Sequence, residues 1–575
     1  MKRLLTLLLV LGGAMSSGSC ANSVAGDQTF EALAADFIQT YLEMNPESAT
    51  SLGDHRYDHR VNDYSHAGVE KSLGFHRTTL DKLRAIDPGG LRDINRVDYH
   101  ILRNQVEETI FRLATLREHQ WNPLSYNVGG AIYDLLARDF APLEERLQSV
   151  KERLKLVPEV AALAKANLKN PPKVHIETAI RQNKGTIGLI RDELQVFLDE
   201  VPHLVGEFKP IQEKAVAALE YYGSWLEKDL LPASDGEFRL GEEKFRKKLH
   251  HVLESDLSME DILTRAEMEL TATQEEMYKT AVPLYRELVA GGAEVPDDKK
   301  AVIKAVLDRL ADTHPSNESI VAQAESCLEE CKQFASSNKL VTVPDEPINL
   351  IVMPEFQRGV AVAYCDAPGP LEPKGKTFYA ISPTPEDWDG KRVKSFFREY
   401  NDYMLHDLTI HEAVPGHYLQ LAHANRFKAP TMIRSIFYSG TFVEGWATYA
   451  EQVMAEKGYG GPEVKMQQLK MRLRLIINAI IDQKIHTAGM SEREAIDMMT
   501  NEGFQEEGEA VGKWRRACLT STQLSTYFVG NIEVNAIREA YETKNGKNPD
   551  MRAMHDEMLS FGSPPTRYVK ERMGL

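Results

Sequence analysis

The chain has 575 residues, of which 42% are hydrophobic, and it has a formal net charge of −17 at neutral pH. This length and composition predict a large buried core and more than one structural lobe, and they exclude an intrinsically disordered protein. The negative charge repels phosphate backbones and anionic lipid surfaces, so a nucleic acid is not expected as a partner.

The first segment, MKRLLTLLLVLGGAMSSGSCANS, has a basic tip, a short apolar run and then small residues. The run is too short to cross a bilayer and is typical of an export signal. Cys20 follows a Gly-Ser pair, where a bacterial lipoprotein signal places its lipidated cysteine, although Ser17 stands where leucine is usual. We therefore expect residues 1–20 to be a leader and the protein to reach the periplasm or the outer membrane, touching the membrane only through a lipid on Cys20. Ordinary cleavage near Ala21 is the alternative.

Most of the following sequence has helical periodicity. In FEALAADFIQTYLEM, apolar residues recur at steps of three and four from Phe30 to Leu42, which predicts a helix with one face on a core. Similar segments lie at about 142–168, 172–201, 207–228 and 258–289, separated by Pro, Gly and Asp. None repeats at a fixed period, which disfavours a solenoid. The pattern predicts a mainly α protein.

Residues 339–385 break this pattern, since they are rich in β-branched and aromatic side chains and are punctuated by proline. They predict three or four short strands in a small β-sheet. Directly afterwards, six residues fall on one helical stripe, so we predict that the strands lead into one helix that ends in the histidine motif: Val393, Phe397, Tyr400, Met404, Leu408 and His411. We expect one helical domain over 28–575, with an N-terminal lobe at about 28–335 and a catalytic lobe at about 336–575.

The stretch DLTIHEAVPGHYLQ, residues 407–420, resembles the zinc-peptidase signature H-E-x-x-H lengthened by two residues. On an unbroken helix His411 and His417 would lie about 240° apart around the axis and would face different sides. Pro415 lacks an N–H and its ring would clash with the carbonyl of residue 411, so the helix must break or bulge between the histidines. With Gly416 supplying an unusual dihedral, His417 can return to the side of His411. An isolated inward histidine is otherwise usually a hydrogen-bonded core residue.

Two neutral imidazoles and a carboxylate are a common ligand set of catalytic zinc. Glu444 lies 27 residues after His417, at the start of another helical segment, and is our candidate for the third ligand; a helix capping box with Thr441 is the alternative. Glu412 would be the general base that takes a proton from the attacking water. Glu451 lies seven residues after Glu444, on the same helix face, and is a candidate for orienting a ligand.

Two further pairs have weaker signals. Cys327 and Cys331 share a helix face without histidines nearby, so we interpret them as small buried residues rather than metal ligands. Asp482 and His486 lie four residues apart and could either orient a ligand or pair with each other on a helix face.

The motif HEAVPGHYLQ followed by FVEGWATYAE resembles the bacterial family known as domain of unknown function 885, which is related in pattern to helical zinc peptidases such as angiotensin-converting enzyme and the oligopeptidases. The likeness extends over most of the chain, through NPESATSLGDHRYD, FRLGEEKFRKKL, IDQKIHTAGMSEREA, QLSTYFVGN and MHDEMLSFG. The resemblance implies a mainly helical, cleft-forming zinc-peptidase-like fold in which His411, His417 and Glu444 bind zinc and Glu412 is the base.

The related zinc peptidases also use a tyrosine or a histidine to stabilise the oxyanion. Tyr527 and His555 are the candidates here, Tyr527 being the better, and ordinary packing is the alternative for both. The segment TSTQLSTYFVG departs from the commoner family pattern, in which a Pro-Gly-Gln-like sequence stands there. Only Gln523, Tyr527 and Gly530 match that pattern.

The function we expect is that of an exported zinc-dependent peptidase acting on short peptides, with the strands of 339–385 offering an edge for extended substrate. A second hypothesis is a non-catalytic surface lipoprotein whose cleft binds ligands. A third is another metal-dependent hydrolase of amides or esters, which would share the same site. Glu412 argues against the second, because a structural zinc site does not require such a residue.

Overall fold

The computed structural model describes residues 16–289, 291–292, 294–353, 362–372, 375–385, 388–546 and 548–575, with side chains from residue 25 onward. Most of the predicted leader, residues 1–20, and the side chain of Cys20 lie outside these described residues. None of the described helices is both long enough and apolar enough to cross a membrane.

Helices dominate the described residues, which confirms the predicted mainly α class. The first group of helices is α1 (Ser16–Met44), α2 (Pro46–Leu52), α3 (His66–Arg84), α4 (Asp93–Phe111), α5 (Gly129–Ala137), α6 (Leu143–Asn167), α7 (Lys173–Gly188), α8 (Leu194–Asp199), α9 (Val205–Trp225), α10 (Leu231–Ala233), α11 (Glu242–Leu253), α12 (Met259–Leu288), α13 (Lys299–Leu310) and α14 (Ile320–Ser337). Single π-helical turns follow α4, α7 and α9 at Arg112–Leu116, Leu189–Glu193 and Leu226–Leu230. Short 3-10 turns lie at His55–Tyr57, Pro88–Gly90, Glu118–Gln120, Pro123–Tyr126 and Pro202–Leu204.

The second group of helices contains the predicted site. It comprises α15 (Gly390–Glu399), α16 (Asp402–Glu412), α17 (His417–Arg426), α18 (Ile433–Ile436), α19 (Gly440–Glu456), α20 (Gly461–Ala488), α21 (Glu492–Asn501), α22 (Glu507–Thr520), α23 (Ser525–Asn545), α24 (Met551–Leu559) and α25 (Thr566–Arg572). The segments predicted from periodicity correspond to α1, α6, α7 with α8, α9 and α12. Phe30 and Phe37 of α1 are fully buried, as their helical spacing indicates.

A small mixed sheet lies between the two groups in sequence, as predicted. Its strands are β1 (Ile348–Val352), β2 (Ala363–Asp366) and β3 (Thr377–Ile381), in the order β1-β3-β2 with β1 parallel and β2 antiparallel to β3. The buried hydroxyl of Tyr379 on β3 is hydrogen-bonded to Thr409 on α16 at 3.1 Å. The sheet is therefore fastened to the helix that contains the first motif histidine.

The predicted single helix before the motif is wrong, because two helices, α15 and α16, occupy this stretch. The side chain of Asn401 accepts a hydrogen bond from the backbone N–H of Met404 at 3.1 Å and so begins a new helix. Asparagine favours this capping geometry over the middle of a helix. The apolar stripe continues through the break because both helices face the same core.

Helices α19 and α23 cross at two glycines. A Cβ atom on Gly445 would lie 2.5 Å from the Cα of Gly530, and a Cβ on Gly530 would lie 2.1 Å from the carbonyl oxygen of Thr441. Any larger residue would push the helices apart. This close approach places the start of α23, which contains Tyr527, beside the start of α19, which contains Glu444.

The hydrophobic core is shared between distant parts of the chain. Met277 and Leu284 of α12 and Val306 of α13 pack in one cluster with Leu469 and Leu473 of α20. Apolar packing therefore crosses the boundary near residue 335 that we predicted between two lobes, and the division itself stays a prediction.

Candidate metal centre

The helix break between the two motif histidines is tight. Helix α16 ends at Glu412 and α17 begins at His417, and the N–H of Gly416 donates to the carbonyl of Ile410 at 2.9 Å. Gly416 has φ −75°, so it does not occupy the left-handed region; instead, a Cβ atom there would lie 2.0 Å from the carbonyl oxygen of His411. Glycine is needed because the backbone folds back onto the end of α16. The fold-back brings the two imidazoles together, their ring centroids 4.6 Å apart.

Glu444 lies opposite both histidines. Its Oε2 is 3.5 Å from the Nε2 of His411 and 3.5 Å from the Nε2 of His417, and the three facing atoms all lie within 4.8 Å of one another. The three residues predicted as ligands are thus brought together, from α16, α17 and α19. We call them the triad.

The triad fits a metal ion. Separations of 3.5 Å are too long for good hydrogen bonds, and the Glu444 Oε2 and the His417 Nδ1 have no hydrogen-bond partner among the described residues although both are buried. Ligands bound tetrahedrally to zinc at about 2.0–2.1 Å lie roughly 3.3 Å from one another, close to the separations here. The triad could therefore hold a metal ion.

The charges of Glu444 and of the two histidines stabilise one another in the triad, and their pKa values shift accordingly. Burial raises the pKa of Glu444, but the facing His411 and His417 outweigh it and hold that pKa well below its usual range. Burial lowers the pKa of His411, whereas Glu444 and Glu451 raise it to well above the ordinary histidine value. A proton on His411 therefore competes with any metal for this position.

Glu451 supports His411 from the other side of the ring. Its Oε1 lies 2.6 Å from the His411 Nδ1, so one imidazole lies between two carboxylates seven residues apart on α19. Behind them, both carboxylate oxygens of Asp407 are buried without a hydrogen-bond partner among the described residues. Burial, and secondly the charge of Glu451, raise the pKa of Asp407 far above its usual range. Such a concentration of buried carboxylates is what a bound cation would balance.

The capping alternative for Glu444 is wrong. The N-cap of α19 is Ser439, whose hydroxyl accepts a hydrogen bond from the N–H of Phe442 at 3.3 Å. Thr441 lies inside the helix, where its hydroxyl donates to the carbonyl of Val252. Glu444 is therefore free of any capping role and faces the histidines.

Glu412 lies next to His411 in sequence but outside the triad. Its Oε2 accepts a hydrogen bond from the backbone N–H of Cys365 on β2 at 3.1 Å. The carboxylate is thus held between the end of α16 and the edge of the sheet, where it is not one of the converging ligand atoms.

Tyr527, the favoured oxyanion candidate, lies near the triad. Its hydroxyl oxygen accepts hydrogen bonds from Arg516 Nη2 at 2.9 Å and from Gln523 Nε2 at 3.4 Å. Burial raises the pKa of Tyr527, and the charge of nearby Glu444 raises it further. The phenol therefore keeps its proton at neutral pH, and that proton is available for a third partner.

His555, the other oxyanion candidate, is enclosed in the core. It is 2% exposed, and both ring nitrogens are occupied, Nε2 by the hydroxyl of Tyr449 and Nδ1 by the carbonyl of Leu340, each at 2.8 Å. Burial lowers its pKa to about 4. A ring with two satisfied nitrogens has no free group for a substrate, so this position favours the packing alternative over the predicted catalytic role.

Asp482 and His486 of α20 have a different role from either one predicted. Asp482 accepts hydrogen bonds from the N–H of Thr522 at 2.8 Å and from the N–H of Ser525 at 3.1 Å, while the His486 Nε2 is bonded to the carbonyl of Ala517 at 2.9 Å. Together they hold the connection between α22 and α23. Thr522 has φ 67° there, in the region that favours glycine.

Two charged residues of the site were missed by the sequence analysis, Lys513 and Arg516 of α22. The sequence contained a signal for Lys513, because it shares one helical stripe with Ala510 and Ala517, which is buried and where a lysine is unexpected. Tyr438 was also missed. It is 56% exposed and directly precedes Ser439, the N-cap of the helix α19 that contains Glu444.

Two other features lie away from the triad. Cys327 and Cys331 are buried in α14, as interpreted from the sequence, and the Cys331 thiol lies 3.3 Å from the Tyr459 hydroxyl. A cavity of about 480 Å³ is lined by Glu31 and Arg56, among others, but it contains none of the predicted site residues.

The chain matches the family described as "Bacterial protein of unknown function (DUF885)" over residues 46–573. It is 32% identical to a solved protein from Shewanella oneidensis described as a "putative lipoprotein of unknown function", with a TM-score of 0.80, covering 95% of this chain and 100% of that one. A second solved protein, a "putative lipoprotein" from Colwellia psychrerythraea, has a TM-score of 0.77 at 18% identity, covering 96% and 98%. No curated protein matches the chain.

Proposed function

Because the chain belongs to the DUF885 family of bacterial proteins of unknown function and its triad could hold a metal ion, we propose that it is an exported zinc-dependent peptidase that hydrolyses short peptides. One observation supports this most strongly. Three ligand atoms, from two histidines and one glutamate that are largely buried, face one another, while a second carboxylate, that of Glu412, makes its hydrogen bond elsewhere. A structural metal site has no need of that fourth group.

In the proposed reaction Glu412 is the general base. It takes a proton from the attacking water, whose oxygen adds to the scissile carbonyl carbon; the carbon–nitrogen bond then breaks, and Glu412 passes the proton to the leaving amine. Zinc, when held by the triad, supplies a Lewis acid for the carbonyl. The role of Glu451 is to fix the ring orientation of His411 through the 2.6 Å contact, as carboxylates behind ligand histidines do.

The edge of β2 supports a peptide as the substrate. The N–H of Ser382 donates to the carbonyl of Val362 at 2.8 Å, so in an antiparallel ladder the backbone groups of Ala363 and Cys365 point away from β3. The outward N–H of Cys365 meets Glu412. The neighbouring backbone groups at this edge are suited to pairing with an extended peptide beside the base.

Tyr527 is the proposed oxyanion donor. Its oxygen already accepts two hydrogen bonds, from Arg516 and Gln523, so its own proton is free for a developing negative charge on the substrate. Removing one such donor typically costs about 100- to 1,000-fold in kcat. We therefore expect Tyr527→Phe to lower kcat with little effect on KM.

Export is supported from two sides. The leader ends in Gly-Ser-Cys at Cys20, and the two similar solved proteins are both described as lipoproteins. We propose attachment to the periplasmic face of a membrane through Cys20.

The test combines metal analysis with peptide cleavage. Purified protein without its leader, and its Glu412→Gln and His417→Ala variants, are assayed for bound metal and for cleavage of a mixed peptide library. We expect the Glu412→Gln protein to keep its metal and lose roughly 100-fold or more in kcat, and the His417→Ala protein to lose its metal, because two ligands compete poorly.

Other outcomes separate the alternatives. Loss of metal in the Glu412→Gln protein would make Glu412 a ligand rather than a base. Cleavage of esters or non-peptide amides, without cleavage of peptides, would favour another metal-dependent hydrolase. A metal-loaded wild-type protein that binds peptides and cleaves nothing would favour a ligand-binding lipoprotein.

A further inference from the structure

Cationic side chains are concentrated beside the triad around two carboxylates, those of Glu399 and Glu509. Glu399 accepts hydrogen bonds from Lys470 at 2.8 Å and from Arg474, and Glu509 accepts one from the hydroxyl of Tyr400 at 3.2 Å. These two carboxylates stand against four largely buried cationic side chains: Lys470, Arg474, Lys513 and Arg516. Lys470 and Arg474 donate hydrogen bonds to Glu399. Among the described residues, Lys513 and Arg516 donate no hydrogen bond to a carboxylate.

Lys513 is the less satisfied of these two. Its side chain is 9% exposed, and its nearest carboxylate oxygen, on Glu509, is 3.8 Å away and shared with Arg474 at 3.6 Å. Within the described part of the chain, its ammonium group makes no hydrogen bond, although it has three donors. Burial lowers its pKa to about 7. A largely buried ammonium group whose donors are not used by hydrogen bonds to the described residues favours an acceptor from outside the chain.

Arg516 lies one helical turn further, on the same side of α22. One of its nitrogens, Nη2, donates to Gln523 and to Tyr527, each at 2.9 Å. Its other donors contact no carboxylate within ion-pair distance among the described residues. Burial lowers the pKa of Arg516, but Tyr527, and then the charges of Glu444 and Glu509, raise it above its usual value. Arg516 is therefore linked to the triad by its hydrogen bond to Tyr527 and by the charge of Glu444, which acts on both residues.

We propose that Lys513 and Arg516 together bind a carboxylate of the substrate, next to the bond that is cleaved. This inference rests on the proposed peptidase function and adds a substrate class to it. Two cationic groups with free donors suit one carboxylate, and Arg binds such groups with fixed geometry. A peptide offers this group at its C terminus or on an aspartate or glutamate side chain. The burial of Lys513 favours the terminal carboxylate, because a peptide that ends beside Lys513 does not have to continue back out to the solvent.

The test compares peptides that differ only in the carboxylate. The wild-type protein is assayed on matched peptides with a free or an amidated C terminus, each with and without one internal glutamate. We expect the free acid to exceed the amide by roughly 10- to 100-fold in kcat/KM, mainly through KM, which corresponds to the loss of one charge-assisted contact. A dependence on the internal glutamate instead would assign the carboxylate to the side chain. Equal rates on all four peptides would overturn the proposal while leaving the peptidase function intact.

Variants on α22 assign the effect to the cationic pair. Lys513→Met should lower kcat/KM on the free acid to about the value on the amide and so abolish the preference, whereas Lys513→Arg should retain the preference. Arg515→Gln is the matched control, since Arg515 is adjacent on the same helix but faces Glu177 at 3.6 Å. An unchanged preference in Lys513→Met would overturn the assignment. This variant should fold, because it removes a buried charge that has no close partner.

A binding measurement separates the failure of this inference from the failure of the proposed function. The Glu412→Gln protein is titrated with an N-acetylated dipeptide as the free acid and as the amide, in a calorimeter. Tighter binding of the acid, lost in a Glu412→Gln, Lys513→Met double variant, supports the carboxylate site even if the wild-type protein cleaves no peptide. Equal affinity for acid and amide overturns it.

Discussion

The contact between Glu451 and His411 predicts how far metal affinity falls in two variants, Glu451→Gln and Glu451→Ala. Glu451 is 1% exposed and its Oε1 lies 2.6 Å from the His411 Nδ1. Glu451→Gln keeps an oxygen in place but removes the charge, and charge-assisted hydrogen bonds are about twice as strong as neutral ones. The difference, about 1–1.5 kcal/mol, corresponds to a roughly 5- to 10-fold loss of metal affinity. Glu451→Ala removes the whole contact and should cost about 100-fold.

The assay is competition for metal against a chromophoric chelator at fixed pH. Glu456→Gln is the control, because Glu456 lies on the same helix α19 but contacts Arg538 at the surface. Turnover per bound metal should fall far less in Glu451→Gln than in Glu412→Gln, since only Glu412 is proposed to handle the proton. Unchanged metal affinity in Glu451→Ala would refute the reasoning, because a buried carboxylate at hydrogen-bond distance would then contribute nothing to its ligand.

Three further predictions concern the break, the triad and the leader. Gly416→Ala should destabilise the fold by about 3 kcal/mol or more in a denaturant titration and lower the metal content, because its Cβ would lie 2.0 Å from the carbonyl oxygen of His411. The control Gly74→Ala lies on an open helix surface and should be neutral or stabilising by up to about 1 kcal/mol. The raised pKa of His411 stabilises the metal-free protein fully below about pH 6.5, the pKa of an unfolded histidine, and this stability is lost as the pH rises through the raised pKa. The melting temperature of chelator-treated protein should therefore fall as the pH rises above neutral. A melting temperature that stays level or rises there would contradict the proposed charge on His411. Cys20→Ala should move the protein from the membrane fraction to the soluble fraction of cells, and a wild-type protein already soluble and unlipidated would exclude the anchor.

Local features of this protein could be predicted from its sequence. Periodicity identified helices such as α6 and α12, because a helix that faces a core must repeat apolar residues at steps of three and four whatever it packs against. The strand-rich stretch identified the sheet for the same reason. Pro415 required a break between the two histidines, since the missing N–H and the ring clash act within one turn. Ligand chemistry then selected Glu444, and the structure brings all three side chains together.

Contacts between distant segments needed the tertiary structure. The sequence favoured Tyr527 over His555 as the oxyanion candidate, but only packing shows that the ring nitrogens of His555 are occupied by Tyr449 and Leu340. Packing also brings Tyr527 close enough to Glu444 for that charge to raise its pKa. The division between α15 and α16 was hidden, because one apolar stripe continues across it into the same core.

The cationic pair illustrates the same limit in the site itself. Lys513 stands on a buried stripe of α22, and the sequence alone could have shown that it was unusual. Its contact with Glu509 on the same helix, and that of Arg516 with Tyr527, are local in the chain. That these groups lie inside the protein beside Glu399 and Arg474 depends on how α22 packs against α15 and α20. The sequence determined which groups are available and what each can do chemically; packing decided which of them meet, because the energy of a buried charge depends on everything that surrounds it.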